Sequence, residues 1–304
     1  MSPIKTHIFS FDRPAQLNML LDSIVTFDTY KQLKVYVQYS YSNEEFKLGY
    51  EKLKLKFEMV VFIEEERTNK KITNPFIGNF IFNVALWCRN WRFRYKSSNF
   101  RSILLDSLRD SSSDYFMFLT DDSVFYGEIL ISEVILSELG KNKLSAYSLA
   151  TGENINGSIY KRKNNIIYWG TSEKSSNPFW TYPFSVDGRI YYRKDLQSIS
   201  KNLIFSNPNS YETIMVLYHR FFNNFKLIFS NRISSLIGFE LNRVQTTYLN
   251  NNLQIDHYLI NQFYLKDFKL SINFDSTQID KFRPDIIDIH MIDSQNLEKI
   301  SFNV

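Results

Sequence analysis

Two adjacent carboxylates, Asp121 and Asp122, follow a fully apolar run, Tyr115 to Leu119, through Thr120. The run reads as a buried strand, so the pair falls where a strand meets the carboxyl edge of a sheet. Open α/β sheets bind ligands in the crevice outside that edge. Adjacent carboxylates repel unless a positive charge lies beside them. A divalent cation carrying a diphosphate is the natural partner. Mg²⁺ or Mn²⁺ takes hard oxygen ligands, and few from protein when phosphates supply the rest. The same pair also suits a turn and an N-cap for a helix starting near Val124. Arg13 and Arg101 are the cations expected near such a nucleotide, with Ser10 opening the turn that holds Arg13. Glu64 ends another expected strand and can accept a hydrogen bond from a base N–H. Glu65 and Glu66 beside it make a solvated acidic cluster equally reasonable.

A second informative stretch runs from Phe179 to Arg193. Trp180 and Tyr182 offer flat apolar faces on which a sugar ring can stack. Gly188 permits backbone geometry that a Cβ would hinder. Packing in the core is the plainer use of any one of these aromatics. A third stretch, Trp91 to Lys96, alternates aromatic and basic side chains. It suits a hairpin strand first, and then anionic lipid headgroups, a polyprenyl-linked acceptor or RNA.

The elements that must carry these residues follow from hydrophobic spacing. Ile4 to Phe11, Leu33 to Tyr41 and Glu58 to Ile63 read as strands. Ala15 to Phe27 and Phe46 to Leu55 read as helices between them. Phe100 to Leu108 reads as a helix before the acidic strand. Such alternation implies parallel pairing through right-handed crossovers, an α/β doubly wound sheet. Further strands are expected at Ala146 to Thr151, Ile166 to Trp169, Arg189 to Tyr192 and Lys226 to Phe229. Helices are expected at Tyr211 to Phe222 and Tyr248 to Tyr264. No internal repeat or linker divides the chain.

Composition narrows the classes. The chain has 304 residues, 44% hydrophobic and 22% charged, enough for a full core and too apolar for disorder. One cysteine, Cys88, excludes an internal disulfide framework and a cysteine-rich zinc site. A net charge of +4 is low for a nucleic-acid binder, so no nucleic-acid partner is expected. No apolar run reaches the length of a spanning helix, so a soluble, cytoplasmic protein is expected, with peripheral membrane contact left open. The aromatic share, 16%, is high. Most Phe residues fall at core spacing. The Tyr and Trp residues from Trp169 to Tyr192 cluster around turns, where an acceptor would lie.

The motifs together resemble those of GT-A-fold glycosyltransferases. Ile8-Phe9-Ser10-Phe11-Asp12-Arg13-Pro14, then Leu17 and Leu21-Asp22-Ser23-Ile24, looks like the family's opening strand, Arg-Pro turn and helix. Phe116-Met117-Phe118-Leu119-Thr120-Asp121-Asp122 resembles its D-x-D-type metal motif, with Thr120 in the first place. The resemblance covers residues 4 to 245 in order of elements. It implies a mostly parallel sheet flanked by helices, with an elaborated C-terminal helical part. It also implies a catalytic domain over 1–245, with a nucleotide-binding half at 1–125 and an acceptor-binding half at 126–245. A C-terminal helical extension over 246–304 would pack on it.

The resemblance further implies roles. Asp122 becomes the metal ligand and Asp121 a ribose or metal-water contact, with Mn²⁺ or Mg²⁺ as cofactor. His290 resembles a C-terminal histidine that completes the metal or phosphate site. Asp187-Gly188 matches the segment beneath the transferred sugar. Glu212 matches the general base of inverting members, with Asp187 second and Glu240 third. The expected activity is sugar transfer from a nucleotide-diphosphate donor, UDP-sugar first, to a glycan, lipid-linked or protein acceptor, as in polysaccharide biosynthesis. A metal-dependent nucleotidyltransferase is the alternative enzyme, though the Ser10 to Pro14 turn lacks the glycine it would want. A non-catalytic carbohydrate- or RNA-binding protein is the alternative outside enzymes.

Overall fold

The structure is a computed structural model. It describes residues 3–71, 95–222, 224–239, 241, 256–267, 269–273, 279, 286–292 and 297–303. The chain opens with β1 (Ile4–Phe11), α1 (Pro14–Phe27), β2 (Leu33–Ser40), α2 (Glu44–Lys56) and β3 (Val61–Glu64). Next come β4 (Arg67–Lys71) and β5 (Tyr95–Ser98), then α3 (Phe100–Arg109), β6 (Tyr115–Thr120) and β7 (Ser123–Phe125). The second half holds α4 (Glu133–Lys141), β8 (Ala146–Ser148), β9 (Lys161–Lys163), β10 (Ile166–Gly170) and α5 (Pro178–Thr181). It continues with β11 (Arg189–Tyr192), α6 (Arg193–Ser200), α7 (Pro208–Phe222), β12 (Leu227–Asn231) and β13 (Leu236–Gly238). The C-terminal part adds α8 (His257–Leu265), β14 (Lys269–Asn273), β15 (Ile286–Ile292) and β16 (Leu297–Asn303).

Nine strands form one sheet in the order β3-β2-β1-β6-β11-β8-β12-β10-β9. The first four run parallel, as the strand–helix alternation requires. From β11 onward the sheet is mixed. β11 is antiparallel to both β6 and β8, β12 is parallel to β8, and β10 is antiparallel to β12 and β9. The short, irregularly spaced strands of the second half left their direction open in the sequence. β1 has β2 on one side and β6 on the other, so the connections leave it in opposite directions. That is a topological switch point, where a crevice opens at the carboxyl edge.

The parallel strands are covered on both faces, which is why they read as near-continuous apolar runs. Ile4, Ile8, Met117 and Leu119 enter the core shared with α1, α2 and α4. Phe9, Phe116 and Phe118 enter the core shared with α3, α6 and α7. The polar side chains of β1 on that second face are matched rather than solvated. The buried His7 ring bonds Ser107 Oγ at 3.1 Å and Gln38 Oε1 at 2.9 Å. Burial pushes His7 down to about 4, so it is a neutral structural group.

One expectation changes. Among the described residues the C-terminal part is not helical alone: it holds a helix and an antiparallel sheet β14-β15-β16. The polar tail from Phe282 hides β15 and β16, whose side chains alternate between apolar and polar. Residues 242–255 lie outside the described residues, so the early part of the expected helix from Tyr248 does too. Cys88 and Trp91 to Arg94 also lie outside them.

Candidate functional site

The site grows from the turn after β1. Asp12 adopts a left-handed backbone, φ +54°, and Pro14 starts α1 with its fixed φ. Such a conformation is uncommon for a residue with a Cβ, though Asp tolerates it better than most. It is held by the Ser42 N–H, which donates to Asp12 Oδ1 at 2.7 Å. Arg13, between Asp12 and Pro14, is thereby aimed back over the sheet edge. Its own N–H donates to the Tyr50 hydroxyl at 3.3 Å, and that hydroxyl also bonds Ser10 Oγ at 2.7 Å. Ser10 thus braces the turn.

Asp121 and Asp122 follow directly from β6. The Asp121 N–H donates to Phe9 O at 3.1 Å, extending the β1–β6 ladder by one residue. Arg13 Nη1 then donates to Asp121 Oδ1 at 3.0 Å and to Asp122 Oδ2 at 2.9 Å. The positive charge that the acidic pair requires is supplied by the chain itself. Asp121 Oδ2 also accepts from the Phe11 N–H at 3.2 Å. Burial raises the Asp121 carboxyl, to about 6, and the Asp122 charge adds to the rise while Arg13 opposes it. The pair raises Arg13 against the pull of burial. Its guanidinium stays protonated at neutral pH. The N-cap alternative is not realised: the residues after Asp122 form β7, paired with β13.

The second half of the site comes from β11 and α7. The β6–β11 register sets Arg189 opposite Phe118, so the Asp187 turn lies over the end of β6. There the Thr120 hydroxyl donates to Asp187 Oδ1. Gly188 has φ +64°, and a Cβ there would fall 2.2 Å from Leu236 Cδ2. Its glycine identity is explained by that packing. α7 starts earlier than its apolar periodicity suggests, at Pro208, because Asn207 Oδ1 accepts from the Ser210 N–H at 2.8 Å. Glu212 is therefore in the second turn, past the reach of the helix dipole as its main explanation. Glu212 Oε1 accepts from the Val186 N–H at 3.2 Å. Burial first, and then the Asp187 charge, push Glu212 up to about 7. The buried Arg189 and the Ser185 hydroxyl act in the opposite sense.

Several expected site residues are placed elsewhere. Trp180 is 0% exposed, edge-on to Trp169 with centroids 4.6 Å apart. Its indole donates to Asn156 O at 3.0 Å. It is core and offers no face to a sugar. Tyr182 is partly buried against the second core, and its carbonyl accepts from Arg189 Nη1 at 2.6 Å. Trp169 and Tyr191 are fully buried too, so the aromatic cluster near Asp187 extends the core. Arg101 has its donors on Leu203 O at 2.8 Å and Lys201 O at 2.9 Å, tying α3 to the segment after α6. Those bonds replace the expected nucleotide role. Glu64 accepts from Tyr39 and Tyr41 hydroxyls at 3.1 and 2.8 Å. His290 pairs in β15 with Ser271 and Lys299, and its side chain lies outside the described residues, as does Glu240.

Some neighbours of the site were not singled out from sequence. Arg67 places its guanidinium 3.4 Å from the Phe11 ring centroid and donates to Ser40 Oγ at 3.0 Å. It is a second cation at the same edge. Arg189 carried a usable signal, an arginine heading an otherwise aromatic and apolar strand. Tyr50 carried none, since its position in α2 reads as ordinary core.

Among the described residues, no three of His, Cys, Asp and Glu gather into a metal cage. One or two carboxylates suffice for Mg²⁺ or Mn²⁺ when a diphosphate supplies the other oxygens. Asp122, at the crevice with a partly exposed carboxylate, fits that donor set.

No family model matches the chain. The chain is similar to the bifunctional glycosyltransferase pgtA of Dictyostelium discoideum, 24% identical over 327 residues. The match takes in 91% of this chain and 38% of the relative, so the chain spans well under half of that protein's length. Among solved structures, S. aureus TarS has a TM-score of 0.41 at 12% identity, covering 77% of this chain and 36% of that one. A TarS structure of residues 1–349 gives 0.42 at 12% identity, covering 77% and 59%.

Proposed function

We propose that the chain is a glycosyltransferase that moves a sugar from a nucleotide-diphosphate donor, UDP-sugar first, to an acceptor hydroxyl with inversion. A glycan, a lipid-linked saccharide or a protein side chain is the acceptor class. The observation that carries the reading is the Glu212 carboxyl bonded to the Asp187 turn, which Thr120 ties to the edge bearing Arg13, Asp121 and Asp122; burial and Asp187 raise that carboxyl to about 7. The similarity to pgtA over nine tenths of the chain supports it. Glu212 takes the acceptor hydroxyl proton as that oxygen bonds the anomeric carbon. The bond from the anomeric carbon to the donor phosphate breaks, and its electron pair leaves on the diphosphate. Asp122 holds the divalent cation, which when bound neutralises charge on the departing diphosphate. Asp121 and Arg13 fix the turn that faces the phosphates, and Asp187, held by Thr120, lies under the sugar.

Among the described residues no helix is long and apolar enough to cross a membrane. A cytoplasmic site of action with peripheral contact to a lipid-linked acceptor is part of the proposal. A thermal-shift panel of UDP, GDP, CMP and TDP, each with and without Mn²⁺, tests it. A shift for UDP that needs Mn²⁺ is expected. No shift with any of the four would sink the transferase reading.

A further inference from the structure

We propose that Arg13 and the divalent cation compete for Asp122, so that Arg13 sets how tightly the chain holds its metal. The inference rests on the reading that Asp122 takes the metal, and it is independent of the sugar transferred. A single guanidinium nitrogen, Nη1, bridges the two carboxylates at 3.0 and 2.9 Å. It occupies the place on the pair that an inorganic cation would take. The two acids are not equivalent. The Asp121 side chain is 5% exposed and has its second oxygen on the Phe11 N–H. The Asp122 side chain is 18% exposed, just past the carboxyl end of β6.

One guanidinium against two carboxylates leaves this pair net negative, because Arg67 at the same edge faces Glu65 and Asp12 instead, and that charge attracts a further cation. A metal on Asp122 Oδ2 would sit against Nη1, and like charges at that separation repel. The contact that yields is the one to Asp122, because Asp121 is enclosed and doubly held. The backbone of Arg13 has little room to follow. Tyr50 takes its N–H, its carbonyl accepts the Leu17 N–H at 3.0 Å, and Pro14 fixes the next φ. The side chain swings while the turn stays. Nη1 keeps Asp121 with one N–H, and the N–H released from Asp122 becomes a donor for the phosphates that arrive with the metal. Metal loading and phosphate recognition are then one event at one arginine.

Direct Mn²⁺ binding, read from the electron paramagnetic resonance signal of the free ion without nucleotide, tests the exchange. Arg13→Gln should bind Mn²⁺ at least tenfold more tightly than wild type. Adding Asp122→Asn to that variant should remove the gain. Equal, measurable affinity in wild type and Arg13→Gln overturns the exchange and leaves the metal reading of Asp122 standing. Absence of binding in every variant, both without nucleotide and with saturating UDP, overturns both. If Arg13→Gln does not fold, the side-chain ¹⁵N signal of Arg13 in wild type is followed during a Mg²⁺ titration. A shift that saturates with Mg²⁺ supports the exchange, and an unchanged signal overturns it.

Discussion

The hydroxyl of Thr120 donates to the carboxylate of Asp187. That bond joins the end of β6 to the turn before β11, and so joins the acidic pair to the neighbourhood of Glu212. Burial first and then the Asp187 charge lift Glu212. In the proposed mechanism the proton-accepting role falls to Glu212 and a supporting role to Asp187.

Glu212→Gln should therefore lower turnover by about 10²–10⁴-fold, the usual worth of a general base. Nucleotide affinity, followed by calorimetry, should stay unchanged. Asp187→Asn should cost less turnover. A larger loss for Asp187→Asn would reverse the two roles.

The pH dependence has a defined sign. Glu212 accepts a proton only when ionised, so the rate should rise with pH through about 7. Stability should move the other way. The folded state keeps the Glu212 proton between the ordinary value of 4.5 and about 7, while the unfolded chain has lost it. The contribution is present below 4.5 and is lost as pH rises through 7. Glu212→Gln should thus raise Tm at pH 8, and the difference should shrink toward pH 4. Melting curves at the two pH values check this.

The adjacent acids should separate in their effects. Asp121→Ala strands the buried Arg13 without its enclosed partner and should cost about 3 kcal/mol in urea unfolding. Asp122→Ala removes the more exposed partner and should cost less. It should nonetheless abolish the dependence of nucleotide binding on Mn²⁺. Equal stability losses would show that the two carboxylates share Arg13 evenly.

Trp180→Ala should behave as a core deletion, costing about 3–5 kcal/mol. Where folded protein remains, donor and acceptor use should fall together. Selective loss of acceptor use would return Trp180 to the acceptor site.

Gly188→Ala places a methyl 2.2 Å from Leu236 Cδ2 at a left-handed φ. It should be strongly destabilising. Leu236→Ala in the same chain should relieve the clash while the backbone strain of about 1 kcal/mol persists. Tm values for the two variants distinguish these contributions.

Much of this protein follows from local pattern. Apolar runs at Ile4 to Phe11 and Tyr115 to Leu119 identify strands covered on both faces, because only burial on both sides explains such runs. The alternation with Pro14–Phe27 and Glu44–Lys56 then forces parallel order, and parallel order brings Ser10, Arg13, Asp121 and Asp122 to one edge. Glu212 was legible as a candidate but not as a tuned acid, since its shift comes from burial and from Asp187, far away in sequence.

Burial and pairing decided the rest. Sequence could not say that Trp180 turns inward onto Trp169, because an aromatic between turns looks alike in a core and in a cleft. Nor could it say that Arg101 is spent on carbonyls, or that one nitrogen of Arg13 lies between two acids. The two arginine outcomes depend on contacts about a hundred residues apart, and the Trp180 contact on a fold-back over 11 residues, none of which local spacing encodes. Residue types therefore set what the sheet edge can contain, and the crossing of β1 with β6 and β11 decides which of those groups meet.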